Sequence, residues 1–171
     1  MRQNFSFIQK VIEMLKITVI ELLLRAIPEW VLLIIMAYVI SDKKFDKCKI
    51  VFSSFIMAPI NYFVRMLPVH FGVHIIIGLL IYLLLCTFVN EIDIMKSISS
   101  VLISTILLLI CEGINIGILQ YLFGINAEKA FIDPIMKTLY GIPSLTIFGI
   151  FIFIIYAKNN KKRKEIDSVL N

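Results

Sequence analysis

Ile75–Val89 reads IIIGLLIYLLLCTFV, fifteen residues without a charge. Such a run must either be buried or face lipid. Three more blocks of the same character lie along the chain, Val31–Ile40 before it and Val101–Ile110 and Ile142–Tyr156 after it. A helix needs roughly 20 mainly apolar residues to cross a hydrocarbon layer about 30 Å thick. Soluble domains hold about 45–50% apolar and about 25% charged residues. Here 60% of 171 residues are hydrophobic, 17% are charged, and the mean hydropathy is +0.94. These blocks use up most of the length. The expected fold is therefore all-α, a polytopic membrane bundle of about five transmembrane helices with no second, soluble domain.

The five expected spans run from about Ile17 to Ile40, Ile50 to Leu67, Val73 to Val89, Ile98 to Leu122 and Leu139 to Tyr156. Pro28 is expected to kink the first, because proline lacks the amide donor. Pro68 is expected to end the second, with Pro68–Gly72 as a tight turn that makes a hairpin of spans two and three. Residues 1–16 read as an interfacial amphipathic segment, 17–156 as the bundle and 157–171 as a basic tail. No cleavable signal peptide is expected, because Arg2, Lys10 and Glu13 interrupt the N-terminal stretch. Gly78, Ser104, Gly113, Gly117 and Gly149 are expected at helix contacts.

The net charge is +5 and the pI about 9.1. The basic residues lie between the apolar blocks and in the tail, so they read as topology signals rather than a nucleic-acid surface. The 41–49 loop, the 90–96 loop and the tail hold the densest lysines, including Lys43, Lys44, Lys47, Lys49 and Lys161–Lys164. The positive-inside rule then predicts an N-terminus outside and a C-terminus in the cytoplasm, in a plasma membrane. Cys48, Cys86 and Cys111 have no metal-type spacing, and no disulfide is expected.

Polar residues inside the spans are costly and need partners. Glu21, Arg25 and Glu29 share one face of the first span. The second contributes Asn61 and Arg65, the third His74, and the fourth Glu112, Asn115 and Gln120. Most fall in the outer half of the expected topology. Glu29 is expected to meet Arg65, and Glu112 to pair with Arg65 or His74. Glu29, Arg65, His74, Glu112 and Asn115 are the candidate ligand- or proton-sensing residues. Arg65 suits an anion or carboxylate; Glu29 or Glu112 suits a cation or proton. The alternative is an internal ion-pair network that fixes helix register. His70 and His74 have helical i, i+4 spacing, but the Pro68–Gly72 turn and the lack of an HExxH pattern argue against a metal. No cofactor is expected. Phe71-Gly72-Val73-His74 faintly resembles the Gly-Gly-x-His segment of membrane cysteine endopeptidases of the quorum-peptide processing type, but one glycine is missing and Cys86, which would have to lie near His74, is twelve residues on.

Three segments carry a resemblance: Ile27-Pro28-Glu29-Trp30, Tyr62–Pro68 (YFVRMLP) and Phe71-Gly72-Val73-His74. Together they resemble the N-terminal membrane domain of Firmicutes, especially clostridial, sensor histidine kinases, over about Ile27 to Gln120. In that family the domain precedes a cytoplasmic kinase module with a GHKL-type ATPase domain. Here only the Lys-rich tail follows the last span, without phosphoacceptor helix, ATP-binding motif or Gly-rich lid. The resemblance thus implies a non-enzymatic, sensor-like or accessory signalling protein. Its partners would be the lipid bilayer and a histidine kinase or other membrane protein, with homo-oligomerisation open. The second reading is a substrate-binding membrane subunit of a transporter.

Overall fold

The computed structural model describes residues 22–66, 73–121 and 134–170. Every regular element in these ranges is helical. A π-helical turn (Leu22–Ala26) leads into α1 (Ile27–Ser41), followed by α2 (Lys47–Met66) and α3 (Val73–Leu84). A second π-helical turn (Leu85–Val89) closes α3, and α4 (Ile94–Tyr121) and α5 (Pro134–Leu170) complete the chain. The 1–16 segment, Glu21, the 68–72 turn with His70 and most of the 123–136 loop lie outside the described residues. The Arg65 side chain lies outside them too, although its backbone belongs to α2.

Local chemistry explains where the helices begin and stop. Asp42 closes α1 in the left-handed region, φ 58°, and its amide returns to the Tyr38 carbonyl. Asp46 Oδ1 accepts from the amides of Cys48 and Lys49 at 3.1 and 3.3 Å, capping α2. Asp93 Oδ1 accepts from the Met95 amide at 3.0 Å and caps α4 the same way. Pro28 was expected to kink the first span, and the change from π-helical to α-helical bonding falls immediately before it. The proline sits in the first turn of α1, where the missing N–H costs little, and the preceding π-helical turn absorbs the change in bonding pattern. Prolines also stand inside two other helices, Pro59 in α2 and Pro143 in α5. The fifth span was expected to end near Tyr156, and the helix that carries it runs on beyond that point. α5 continues unbroken to Leu170, because Lys, Arg and Glu of the tail are good helix formers.

Three stretches are long and apolar enough to cross a membrane: Leu23–Ser41, Ile94–Tyr121 and Thr138–Lys161. Val73–Val89 is apolar but shorter. α2 is diluted by Lys47, Lys49, Ser53, Ser54, Asn61 and Arg65. α1 is the axis of the bundle and packs against α2, α4 and α5. Its residues Trp30, Leu33, Ile34, Met36, Ala37, Tyr38 and Val39 are all buried, so it is apolar on every side, as an enclosed helix must be.

Large apolar side chains lie on the outside of the bundle as well as in its core. Ser53, Ser54, Ser97, Ser100 and Ser104 are fully buried, while Phe55, Phe63, Phe88, Leu109 and Phe153 are more than half exposed. Buried hydroxyls bond the carbonyl a turn behind them, as Ser54 does to Ile50 and Ser104 to Ser100, both at 2.7 Å. Small residues inside and large apolar ones outside mark a bundle whose surroundings are lipid. Gly78 and Ser104 do lie at contacts. Gly113 and Gly117 do not, since a Cβ on either would meet nothing within 4 Å.

Candidate functional site

The antiparallel course of the helices sorts the polar residues into two separate ends. One end gathers Arg25 and Glu29 of the α1 entry, Asn61 of α2, His74 of α3, Glu112 and Asn115 of α4, and Gly141 of α5. The other gathers the 42–49 connection, Asn90–Lys96 and the Tyr156–Asn160 part of α5.

At the first end, Arg25 Nη2 donates to Glu112 Oε1 at 2.9 Å, and Arg25 Nε lies 3.9 Å from Glu29 Oε2. Glu112 was expected to pair with Arg65 or His74. It meets Arg25 of the α1 entry, and the Arg65 side chain lies outside the described residues. Gly141 of α5 makes room for this pair. A Cβ there would stand 2.9 Å from both Arg25 Cζ and Nη1. One turn beyond Glu112, Asn115 Nδ2 donates to the Tyr140 carbonyl at 2.6 Å. Arg25 thus links the α1 entry to α4 and α5. Glu112 and Asn115 are occupied in joining helices.

Glu29 and His74 do come together, along with Asn61. They line a cleft of about 130 Å³ whose other walls include Trp30, Gly78, Tyr82 and Thr105. Its floor is rigid. The Tyr82 hydroxyl donates to the Leu33 carbonyl of α1 at 2.6 Å and lies 3.3 Å from Ser104 Oγ. The Trp30 and Tyr82 rings meet edge to face at 5.5 Å. Among the described residues, three buried polar side-chain atoms have no hydrogen-bond partner: Trp30 Nε1, His74 Nδ1 and Ser100 Oγ. Two of these three belong to residues of the cleft. Leaving such a group unsatisfied costs about 1–3 kcal/mol. Trp30 is a cleft residue that charge-based reading of the spans passed over. Its signal was present, a tryptophan next to a membrane-embedded glutamate.

The second end is a closed network. Asn90 is its hub and is wholly buried. Tyr38 donates to Asn90 Oδ1 at 3.0 Å, and Asn90 Nδ2 donates to Ser53 Oγ and the Leu85 carbonyl, each at 3.0 Å. Lys43 Nζ donates to the carbonyls of Asn90 and Glu91 at 2.7 and 2.6 Å. Lys49 pairs with the Glu91 carboxylate at 2.7 Å. The bond from Lys49, then the charges of Lys49 and Lys43, hold that carboxyl below its ordinary value. Asn159 Nδ2 donates to the Val39 carbonyl at 3.1 Å and ties α5 to the end of α1.

Cys86 and Cys111 are buried and Cys48 is exposed; all three are free thiols. His74 and Cys86 are not brought together. Twelve residues of helix separate them by about 18 Å at ~1.5 Å per residue. Among the described residues, no group of three or more His, Cys, Asp or Glu is placed to hold a metal ion. No protein family, curated protein or solved structure matches the chain.

Proposed function

We propose that this chain is a non-catalytic, sensor-like or accessory signalling membrane protein that receives a small polar ligand in the Glu29–Trp30–Asn61–His74 cleft. The observation that carries the reading is the pair of unpartnered buried atoms, Trp30 Nε1 and His74 Nδ1, on residues that line the cleft beside Glu29. Inside a bilayer no bulk water satisfies such groups. A ligand with an acceptor, such as a carboxylate or carbonyl, answers the indole N–H, and a second polar group of the same ligand answers His74 Nδ1 beside Glu29. Arg65 stands one helical turn beyond Asn61 in α2 and is the proposed further contact for an anion.

In this reading all five helices span the membrane. α2 holds 20 residues and Val73–Val89 holds 17, both within the roughly 17–25 that span a bilayer. The Lys-rich end faces the cytoplasm of a bacterial cell and the cleft lies in the outer half. Output runs through α5, which touches α1 at both ends, with Gly141 against Arg25 and Asn159 on the Val39 carbonyl. A ligand that moves α1 moves α5 and its basic extension. The partner is proposed to be a histidine kinase or another membrane protein.

Trp30 is the single tryptophan of the chain, so its fluorescence reports the cleft directly. Amino acids, amines and carboxylates are titrated onto the purified protein. One class is expected to shift Trp30 emission saturably in the wild type and not in Glu29→Gln or Arg65→Ala. A shift that both variants retain would rule out the cleft as the site. Co-purification with an ATPase pair would move the assignment to a transporter subunit.

A further inference from the structure

A second pocket, of about 190 Å³, opens at the Lys-rich end between the close of α1 and α5. Its lining includes Lys43, Lys44, Phe45, Tyr156, Asn159 and Asn160. It sits where the apolar stretch Thr138–Lys161 of α5 runs out, at the depth of lipid headgroups if the bundle lies in a bilayer. The Phe45 ring packs between Tyr38 and Tyr156, with centroids 6.0 and 5.5 Å away. Phe45 and Tyr156 are both partly exposed, which is the place of aromatic residues at a membrane interface.

The charges on this pocket are divided in their tasks. Lys43 is held by Asn90 and Glu91 and serves as a wall. Lys44 is exposed and makes no ion pair or hydrogen bond among the described residues. Asn159 spends its amide on the Val39 carbonyl, whereas Asn160 beside it is half-buried and keeps its amide for the pocket. Asp42 is the one carboxylate on the lining and already interacts within the protein. Beyond the rim, exposed Lys158 and Lys161 continue the positive field along α5.

We infer that this pocket binds the phosphate headgroup of an anionic phospholipid. Lys44 supplies the charge, Asn160 a neutral donor, and Phe45 with Tyr156 the apolar surface against which the glycerol and first methylenes lie. A basic pocket between helix ends at the membrane surface is the form such recognition takes. The inference rests on the membrane reading and is independent of the ligand cleft at the other end.

The test reconstitutes the full chain in vesicles of mixed phosphatidylglycerol and phosphatidylcholine and counts retained lipids by native mass spectrometry after gentle detergent release. Phosphatidylglycerol is expected to be retained in preference. Lys44→Glu and Asn160→Asp should each lower its retention about fivefold or more, the factor expected for roughly 1 kcal/mol per surface charge. Lys44→Arg should keep it. Lys47→Glu removes an exposed lysine of the same end that is not on the lining, and should change little. Equal losses from Lys47→Glu and Lys44→Glu would mean a diffuse field and overturn the pocket. Displacement of the lipid by millimolar inorganic phosphate would reassign the pocket to a soluble anion and overturn the lipid assignment. If Lys44→Glu lowers the melting temperature in lipid-free detergent, Asn160→Asp decides the matter. Failure to enter vesicles at all would instead sink the membrane reading.

Discussion

Arg25 and Glu112 are 87 residues apart in sequence and meet at 2.9 Å across the bundle. Their side chains are 18% and 31% exposed, so the pair is neither a surface bridge nor a sealed one. That intermediate position sets the size of its contribution, since exposed pairs give about 0–1 kcal/mol and breaking a buried one costs about 3–5 kcal/mol. A double-mutant cycle of Arg25→Leu and Glu112→Gln is expected to yield a coupling of about 1–2 kcal/mol, read by thermal or denaturant unfolding in detergent. Additive losses would show that the two side chains do not act together.

Gly141 makes that pair possible, and its substitution probes it from the third helix. Gly141→Ala would drive a methyl to 2.9 Å from the Arg25 guanidinium, which must swing away from Glu112 to make room. A loss of about 1–3 kcal/mol is expected, as for other overpacked contacts. Gly113→Ala is the matching substitution in open space and should be neutral or stabilising by up to about 1 kcal/mol through helix propensity. Equal effects from the two would mean that Gly141 is no contact.

These two helix contacts show what the sequence could and could not convey. The blocks Val31–Ile40, Ile75–Val89, Val101–Ile110 and Ile142–Tyr156 all appear as helix, because long apolar runs must satisfy their backbone internally. Val73–Val89 is an apolar helix over about the bounds expected for the third span, though it is shorter than the three stretches long enough to cross a membrane. The partners of Glu112 were not legible, because spacing along one helix fixes which residues share a face but not which helix that face meets. The joint placement of Glu29 and His74 on one cleft followed from topology alone, since antiparallel neighbours put their α1-start and α3-start residues at the same end. Asn90 looked like an ordinary loop residue. Its role as a hub depends on Tyr38 and Ser53, which no local pattern links to it.

Asn90 accordingly carries the third prediction. Asn90→Ala leaves the Tyr38 hydroxyl and Ser53 without their buried partner and removes the amide from the Leu85 carbonyl. A loss of about 2–3 kcal/mol is expected, because several groups are orphaned at once. Tyr82→Phe removes a single donor from the Leu33 carbonyl, which keeps its own helical bond, and should cost only about 0.5–1.5 kcal/mol. Comparable losses in the two variants would contradict the hub.

The Glu91 carboxyl gives this end a pH dependence whose sign is fixed. Lys49, at 2.7 Å, and Lys43 stabilise its ionised form, so its folded pKa lies below the ordinary 4.5. The native state therefore releases this proton more readily than the unfolded chain does. The contribution is complete above the ordinary value and is lost as the pH falls through the lower folded one. Because the carboxyl is exposed, the effect is small and weakens in salt. Wild-type melting temperatures should fall more steeply than those of Glu91→Gln on acidification below about pH 5. Parallel curves at low ionic strength would falsify the assignment.

Orientation can be read from the native cysteines without any engineering. Cys48 is exposed at the start of α2, in the Lys-rich end, while Cys86 and Cys111 are buried. A thiolate must form and be reached before a maleimide can react, so the two buried thiols contribute little background. If the Lys-rich end faces the cytoplasm, a membrane-impermeant maleimide should leave the protein unlabelled in intact cells and label it once after permeabilisation. Cys48→Ser should abolish that labelling. Labelling of Cys48 from outside intact cells would invert the topology. It would put the Glu29–His74 cleft on the cytoplasmic side and limit its ligands to molecules of the cell interior. The lipid pocket at Lys44 would then face the outer leaflet, so the same experiment also fixes which leaflet supplies its phospholipid.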